Sequence, residues 1–137
     1  MPDTKRTRLA RCGCGALRAQ THGEPAHVYL CACRTCQIKS GSAFTYAAVF
    51  AEGDVAVSGA RRGWRHYGES GQWIESLFCP ACGITVLFLS EGLPSMTGIA
   101  VGCFTDADFP KPRRMYWASR KHAWLDVPEG VEPVETQ

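Results

Sequence analysis

Seven of the eight cysteines in this chain fall into three tight groups, and that spacing constrains the fold more than any other feature. Cys12 and Cys14 form C-x-C, Cys31, Cys33 and Cys36 form C-x-C-x-x-C, and Cys79 and Cys82 form C-x-x-C. Two thiolates on one tight turn converge on a single ion at a Zn–S distance of ~2.3 Å, and two such turns complete a tetrahedron. The third group reads Phe78-Cys79-Pro80-Ala81-Cys82-Gly83. Pro80 presets a turn, and Gly83 lets the backbone curl so that free amides reach the sulfurs. This is the pattern of a zinc knuckle.

Seven sulfurs do not divide into two closed four-ligand sites. A structural zinc is closed, whereas a catalytic zinc keeps one position open. The contiguous group Cys31, Cys33 and Cys36 is therefore expected to hold an open, catalytic zinc. Cys12, Cys14, Cys79 and Cys82 are expected to share a closed, structural one. A competing division pairs Cys33 and Cys36 with Cys79 and Cys82 as a zinc ribbon, and strands Cys12, Cys14 and Cys31. Cys103 lies in the apolar segment Ile99 to Phe104 and reads as a buried small hydrophobe rather than a ligand. His22, His27, His66 and His122 show no metal-binding spacing and read as ordinary surface or core histidines. Trp64, Trp73, Trp117 and Trp124 are core candidates.

The rest of the chain is that of an ordinary globule. Its 137 residues suit one domain and a core large enough not to need disulfides. Apolar residues make up 45% and charged residues 20%. The net charge of +2 is dispersed, with short basic stretches at Lys5-Arg6-Thr7-Arg8, Arg61-Arg62 and Arg113-Arg114. That distribution argues against nucleic acid as a partner. No apolar run approaches the ~20 residues of a membrane span, and Met1 to Arg11 lacks the apolar stretch of a signal peptide. We expect a cytoplasmic protein with no membrane partner, whose reduced thiols serve as ligands or catalytic groups rather than disulfides.

Between polar ends the sequence reads as short strands split by turn residues. The strand candidates are Leu9 to Cys12, Ala16 to Thr21, His27 to Leu30, Ala43 to Phe50, Val55 to Ser58, Gly63 to Tyr67, Gln72 to Phe78, Thr85 to Leu89, Ser95 to Val101 and Arg113 to Trp117. Helix is expected only at Arg34 to Ser40, with a single turn at Asp106 to Phe109. The expected division is a frayed tail over residues 1–8, a zinc-binding domain over 9–127 and a second tail over 128–137. The fold class is mainly β, built from hairpins with cysteines at the turns.

Four segments together carry a resemblance: Cys12-Gly13-Cys14-Gly15, Cys31-Ala32-Cys33-Arg34-Thr35-Cys36-Gln37, Gly41-Ser42-Ala43-Phe44, and Phe78-Cys79-Pro80-Ala81-Cys82-Gly83. In this order they resemble the glutathione-dependent formaldehyde-activating enzyme family, which includes the centromere protein V domain. Trp117-Ala118-Ser119-Arg120 with Trp124 is similar to that family's C-terminal segment. The resemblance implies a β-tent fold, antiparallel sheets around a structural zinc on Cys12, Cys14, Cys79 and Cys82. It implies a second zinc on Cys31, Cys33 and Cys36, where glutathione and formaldehyde meet to give S-hydroxymethylglutathione. Ala32 stands where many members carry a histidine, and Ser76 and Leu77 stand where a basic residue is common.

Two readings of function follow. In the first, the chain is a carbon–sulfur lyase-type enzyme that takes a small thiol and an aldehyde. No Asp or Glu lies inside the three-cysteine group, which favours thiol chemistry over hydrolysis. Glu24, Glu69 and Glu75 are the acids with a chance to approach it in space. Arg34 and Lys39, beside the group, are candidates for binding the carboxylates of a glutathione-like ligand. In the second reading the chain is a non-catalytic, zinc-stabilised module that binds another protein. A methionine sulfoxide reductase would need a reactive cysteine outside the zinc set, and only Cys103 is available.

Overall fold

The computed structural model describes residues 6–136. Among them are eleven strands and one α-helix. The strands are β1 (Thr7–Arg11), β2 (Arg18–His22), β3 (His27–Cys31), β4 (Thr45–Ala51), β5 (Val55–Ser58), β6 (Arg62–Tyr67), β7 (Trp73–Phe78), β8 (Thr85–Ser90), β9 (Met96–Ala100), β10 (Arg114–Tyr116) and β11 (Glu132–Val134). The helix α1 spans Arg34–Ser40. A three-stranded sheet has the order β1-β2-β5, and an eight-stranded sheet has the order β11-β10-β3-β4-β9-β8-β7-β6.

Residue type explains most of these elements. β4 reads TYAAVFA and is buried along nearly its whole length, as befits a strand covered on both faces between β3 and β9. β1 and β2 alternate exposed and buried positions, the signature of a half-covered sheet. Their inward set is not simply the apolar one: Arg8 is buried, and Leu9 points outward. The Arg8 guanidinium lies 4.9 Å from the centre of the Phe109 ring and makes two 3.1 Å hydrogen bonds to the Glu24 carboxylate. Stacking and a bidentate ion pair thus permit a charge where the apolar pattern would place leucine.

Two expectations need correction. The large sheet is not wholly antiparallel, because β10 runs parallel to both β3 and β11. The chain from β9 passes through a 3-10 turn, Val101–Phe104, and enters the sheet again beyond β3, between β3 and β11, in the direction of β3. The ordered chain also extends beyond the span read from sequence: Thr7 and Arg8 belong to β1, and Glu132–Val134 forms β11 against β10. The rest of the expected N-terminal tail, Met1 to Lys5, lies outside the described residues, as does Gln137. The turn expected at Asp106 to Phe109 is closed by a 3.1 Å bond from Phe109 N–H to Asp106 C=O.

The main core packs between the sheets around Leu17, Phe50, Val86, Leu87 and Ile99, with Cys12 and Cys79 at its margin. A second, smaller cluster of Leu30, Met115, Ala118 and Val131 lies under the C-terminal segment. Among the described residues, no helix is long and apolar enough to cross a membrane.

Candidate metal centres and the adjoining cavity

The β1–β2 turn is built around sulfur. Cys12 N–H donates to Leu17 C=O at 3.0 Å, Gly15 N–H to Cys12 C=O at 3.1 Å, and Leu17 N–H to Cys12 Sγ at 3.3 Å. The β7–β8 turn is its counterpart. Cys79 N–H donates to Ile84 C=O at 3.0 Å, and Gly83, at φ +79°, donates to Cys79 C=O at 2.7 Å. Gly83 therefore occupies the left-handed conformation that glycine adopts without steric cost.

These two hairpin tips meet. The Sγ atoms of Cys12, Cys14, Cys79 and Cys82 all lie within 4.8 Å of one another. Cys14 Sγ is 3.7 Å from Cys12 Sγ and 3.7 Å from Cys79 Sγ. A tetrahedron of sulfurs around zinc has edges of about 3.8 Å, so this donor set fits the ion. Burial works against ionisation of Cys12, but the Leu17 amide and the neighbouring Cys14, Cys82 and Cys79 thiols bring its pKa down to about 6.

The second group forms where β3 runs into α1. Cys31 ends the strand, Cys33 caps the helix by accepting Cys36 N–H at 3.3 Å, and Cys36 lies in the first turn. Their sulfurs also lie within 4.8 Å of one another, and Cys31 and Cys36 are buried. Bonds from the Cys31 and Cys36 thiols draw the Cys33 pKa down to about 2, while those of Cys31 and Cys36 rise. Cys33 is thus the sulfur most readily ionised, and a metal ion would displace the protons of the other two. The local backbone is pinned: Ala32 N–H donates to Tyr116 C=O at 2.9 Å, and Gln37 Nε2 donates to Ala32 C=O at 2.8 Å and to Arg120 C=O at 2.9 Å. Ala32 itself is fully buried. The sulfurs thus gather as four and three, and the ribbon-like pairing of Cys33 and Cys36 with Cys79 and Cys82 is not the one the fold presents. Cys103 stands outside both groups, with its thiol directed at Thr85 C=O at 3.6 Å and its pKa pushed up to about 11 by burial.

Cys33 and Cys36 form part of the wall of a cavity of about 240 Å³. His27, Tyr29, Tyr116 and Trp117 line one side, and His66, Glu69 and Gln72 come from β6 and the β6–β7 turn. His27 Nε2 is 2.9 Å from Tyr116 Oη. Glu69 forms an ion pair with Arg120, whose guanidinium lies 4.6 Å from the centre of the Trp117 ring. Of the three acids with a chance to approach the site, only Glu69 does; Glu24 pairs with Arg8 and Glu75 with Arg65.

The two basic candidates differ. Lys39 borders a smaller recess beside Cys36, with Nζ 4.4 Å from the centre of the Phe88 ring, and its charge favours the thiolates of Cys33 and Cys36. Arg34, the first residue of α1, is exposed and lines neither the cavity nor the recess. His66, Glu69 and Arg120 had no spacing signal in the sequence, because the pairing of β6 with β7 and the C-terminal crossover bring them to the site.

Fold and site together define a mainly β protein with two cysteine clusters, each able to hold a metal ion, one of them beside a cavity. Residues 7–120 match the family described as glutathione-dependent formaldehyde-activating enzyme, and the chain belongs to that family. It is also similar to the crystal structure of a Rhodobacter sphaeroides protein, with a TM-score of 0.53 and 23% identity, covering 77% of this chain and 92% of that one. That likeness supports the fold. No curated protein matches the sequence.

Proposed function

We propose that this chain is a zinc-dependent carbon–sulfur lyase-type enzyme that joins a small thiol, glutathione first among them, to formaldehyde. The product is S-hydroxymethylglutathione. The observation that carries this reading is the placement of Cys33 and Cys36 in the wall of a cavity, while the four-sulfur group sits between two hairpin tips away from it. Cys12, Cys14, Cys79 and Cys82 are the residues to hold a structural zinc, and Cys31, Cys33 and Cys36 those to hold a second. Bound to three thiolates, zinc supplies a lowered thiol pKa, which keeps a fourth sulfur in its nucleophilic form near neutral pH.

The chain's own residues do the remaining work. Lys39 offsets the negative charge of the sulfur group. Tyr29, Tyr116 and Trp117 give the cavity an aromatic side that packs on a thiol's carbon chain and excludes water. Lys39, and Arg34 on the outer face of α1, are the cations proposed to meet substrate carboxylates. Arg120 joins them once a substrate carboxylate replaces Glu69 as its partner. Cobalt in place of zinc makes the second site visible: glutathione should alter the sulfur-to-cobalt absorption of the protein. A spectrum indifferent to glutathione would leave the chain as a metal-stabilised protein-binding module.

A further inference from the structure

His66 sits in the wall of the same cavity as Cys33 and Cys36, on β6, across from the β3–α1 corner. Its ring lies against Trp64, with centroids 4.5 Å apart and the planes tilted by 31°. Both ring nitrogens are buried, and neither has a hydrogen-bond partner among the described residues. A neutral imidazole carries one donor and one acceptor, so a ring left this way is costly unless something else meets it. The other titratable groups of the wall are engaged: Glu69 pairs with Arg120, and His27 bonds Tyr116 Oη. His66 is close enough for the charges of Cys33 and Lys39 to act on it, yet it lies outside the sulfur cluster. Burial, with Lys39 adding to it, favours the uncharged ring. These facts describe a base held ready beside the sulfurs, not a member of the ligand set.

We infer that His66 is a catalytic residue of this site, carrying the proton of the substrate thiol to the carbonyl oxygen of the aldehyde. This rests on the function proposed above. The sulfur gives up its proton to one ring nitrogen, and a sulfur–carbon bond forms. The carbonyl π pair moves to oxygen and takes a proton from the ring, which returns to neutral. Thiol plus aldehyde gives hydroxymethyl thioether, with no other reactant. Positioned proton transfer of this kind contributes roughly 10²–10⁴-fold to a rate.

The test uses metal-loaded protein with ¹⁵N-labelled histidine, and two variants. His66→Gln keeps a polar group but cannot carry a proton, and His66→Phe keeps the packing against Trp64. Both should retain the parent's melting temperature and its calorimetric affinity for glutathione. Both should slow the exchange of glutathione and formaldehyde with their adduct, measured by NMR above the uncatalysed rate, by about 100-fold. The His66 ring resonances of the parent should move when glutathione is added, as the ring takes up the thiol proton, and should return toward their starting positions when formaldehyde follows. Variants that keep the parent's rate, or a ring that ignores bound glutathione, overturn the role of His66 while leaving the enzyme reading intact. A parent that binds no glutathione overturns the enzyme reading and, with it, the role of His66.

Discussion

Cys14 Sγ lies 3.7 Å from Cys79 Sγ although 65 residues separate them. The contact joins the tip of a hairpin in the three-stranded sheet to the tip of one in the eight-stranded sheet. A metal ion at this point would close a long loop and tie the two sheets together, so its binding free energy becomes folding free energy.

Removing one of these sulfurs should therefore cost the fold. Cys82→Ser is expected to lose one metal equivalent and to destabilise the domain by more than ~4 kcal/mol, into the range of lost structural metals. Metal analysis with thermal melting checks this. A soluble variant that melts like the parent and carries no metal at the four-sulfur site would refute the structural role.

Gly83 tests the turn beneath that site without touching a sulfur. Its φ of +79° suits glycine, and an added Cβ would meet no atom of the described residues within 4 Å, so Gly83→Ala adds backbone strain without a clash. The expected cost is about 1–2 kcal/mol with metal content unchanged, read by chemical denaturation and metal analysis.

Cys103→Ala should keep every metal equivalent, because that thiol stands outside both sulfur groups. The loss of a small, partly buried side chain should cost about 1 kcal/mol. Loss of a metal equivalent would show that the division of the sulfurs is wrong.

The Arg8–Glu24 pair gives a pH prediction. Hydrogen bonds from Arg8 depress the Glu24 pKa, burial opposes this, and the charges of Arg8 and Arg6 assist it. A depressed carboxyl pKa contributes stability that is fully present above the unfolded value of about 4.3 and disappears as pH falls through the folded value. Because the Glu24 side chain is 60% exposed, solvent screening holds the contribution to about 1 kcal/mol or less. Glu24→Gln should lower stability at neutral pH by that amount and flatten its loss below pH ~4. Unchanged acid sensitivity would show that this pair does not set it.

The sequence made the hairpins and cysteine turns legible because both depend on local rules. Val55 to Ser58 and Arg34 to Ser40 have the limits read from residue type alone. What was not legible is long-range. β11 has only three residues, Glu132–Val134, and exists through its pairing with β10. The inward turn of Arg8 depends on Phe109 and Glu24, each far away in the chain. His66, read as an ordinary histidine, reaches the cavity because β6 folds back through β7 and β8. Arg34 is adjacent to the sulfur group in sequence, and its place at the start of α1 leaves it exposed to solvent.

The central claim concerns the three-sulfur group, and Cys36 tests it most directly. Titration of the metal-loaded parent and of Cys36→Ser with glutathione, followed by calorimetry and by adduct formation with formaldehyde, separates the possibilities. The account predicts that the parent binds glutathione and accelerates adduct formation. It predicts that Cys36→Ser loses both while keeping the metal of the four-sulfur site and a folded domain. A parent that binds no thiol with both sites loaded, or a Cys36→Ser protein that binds it equally well, would contradict the account.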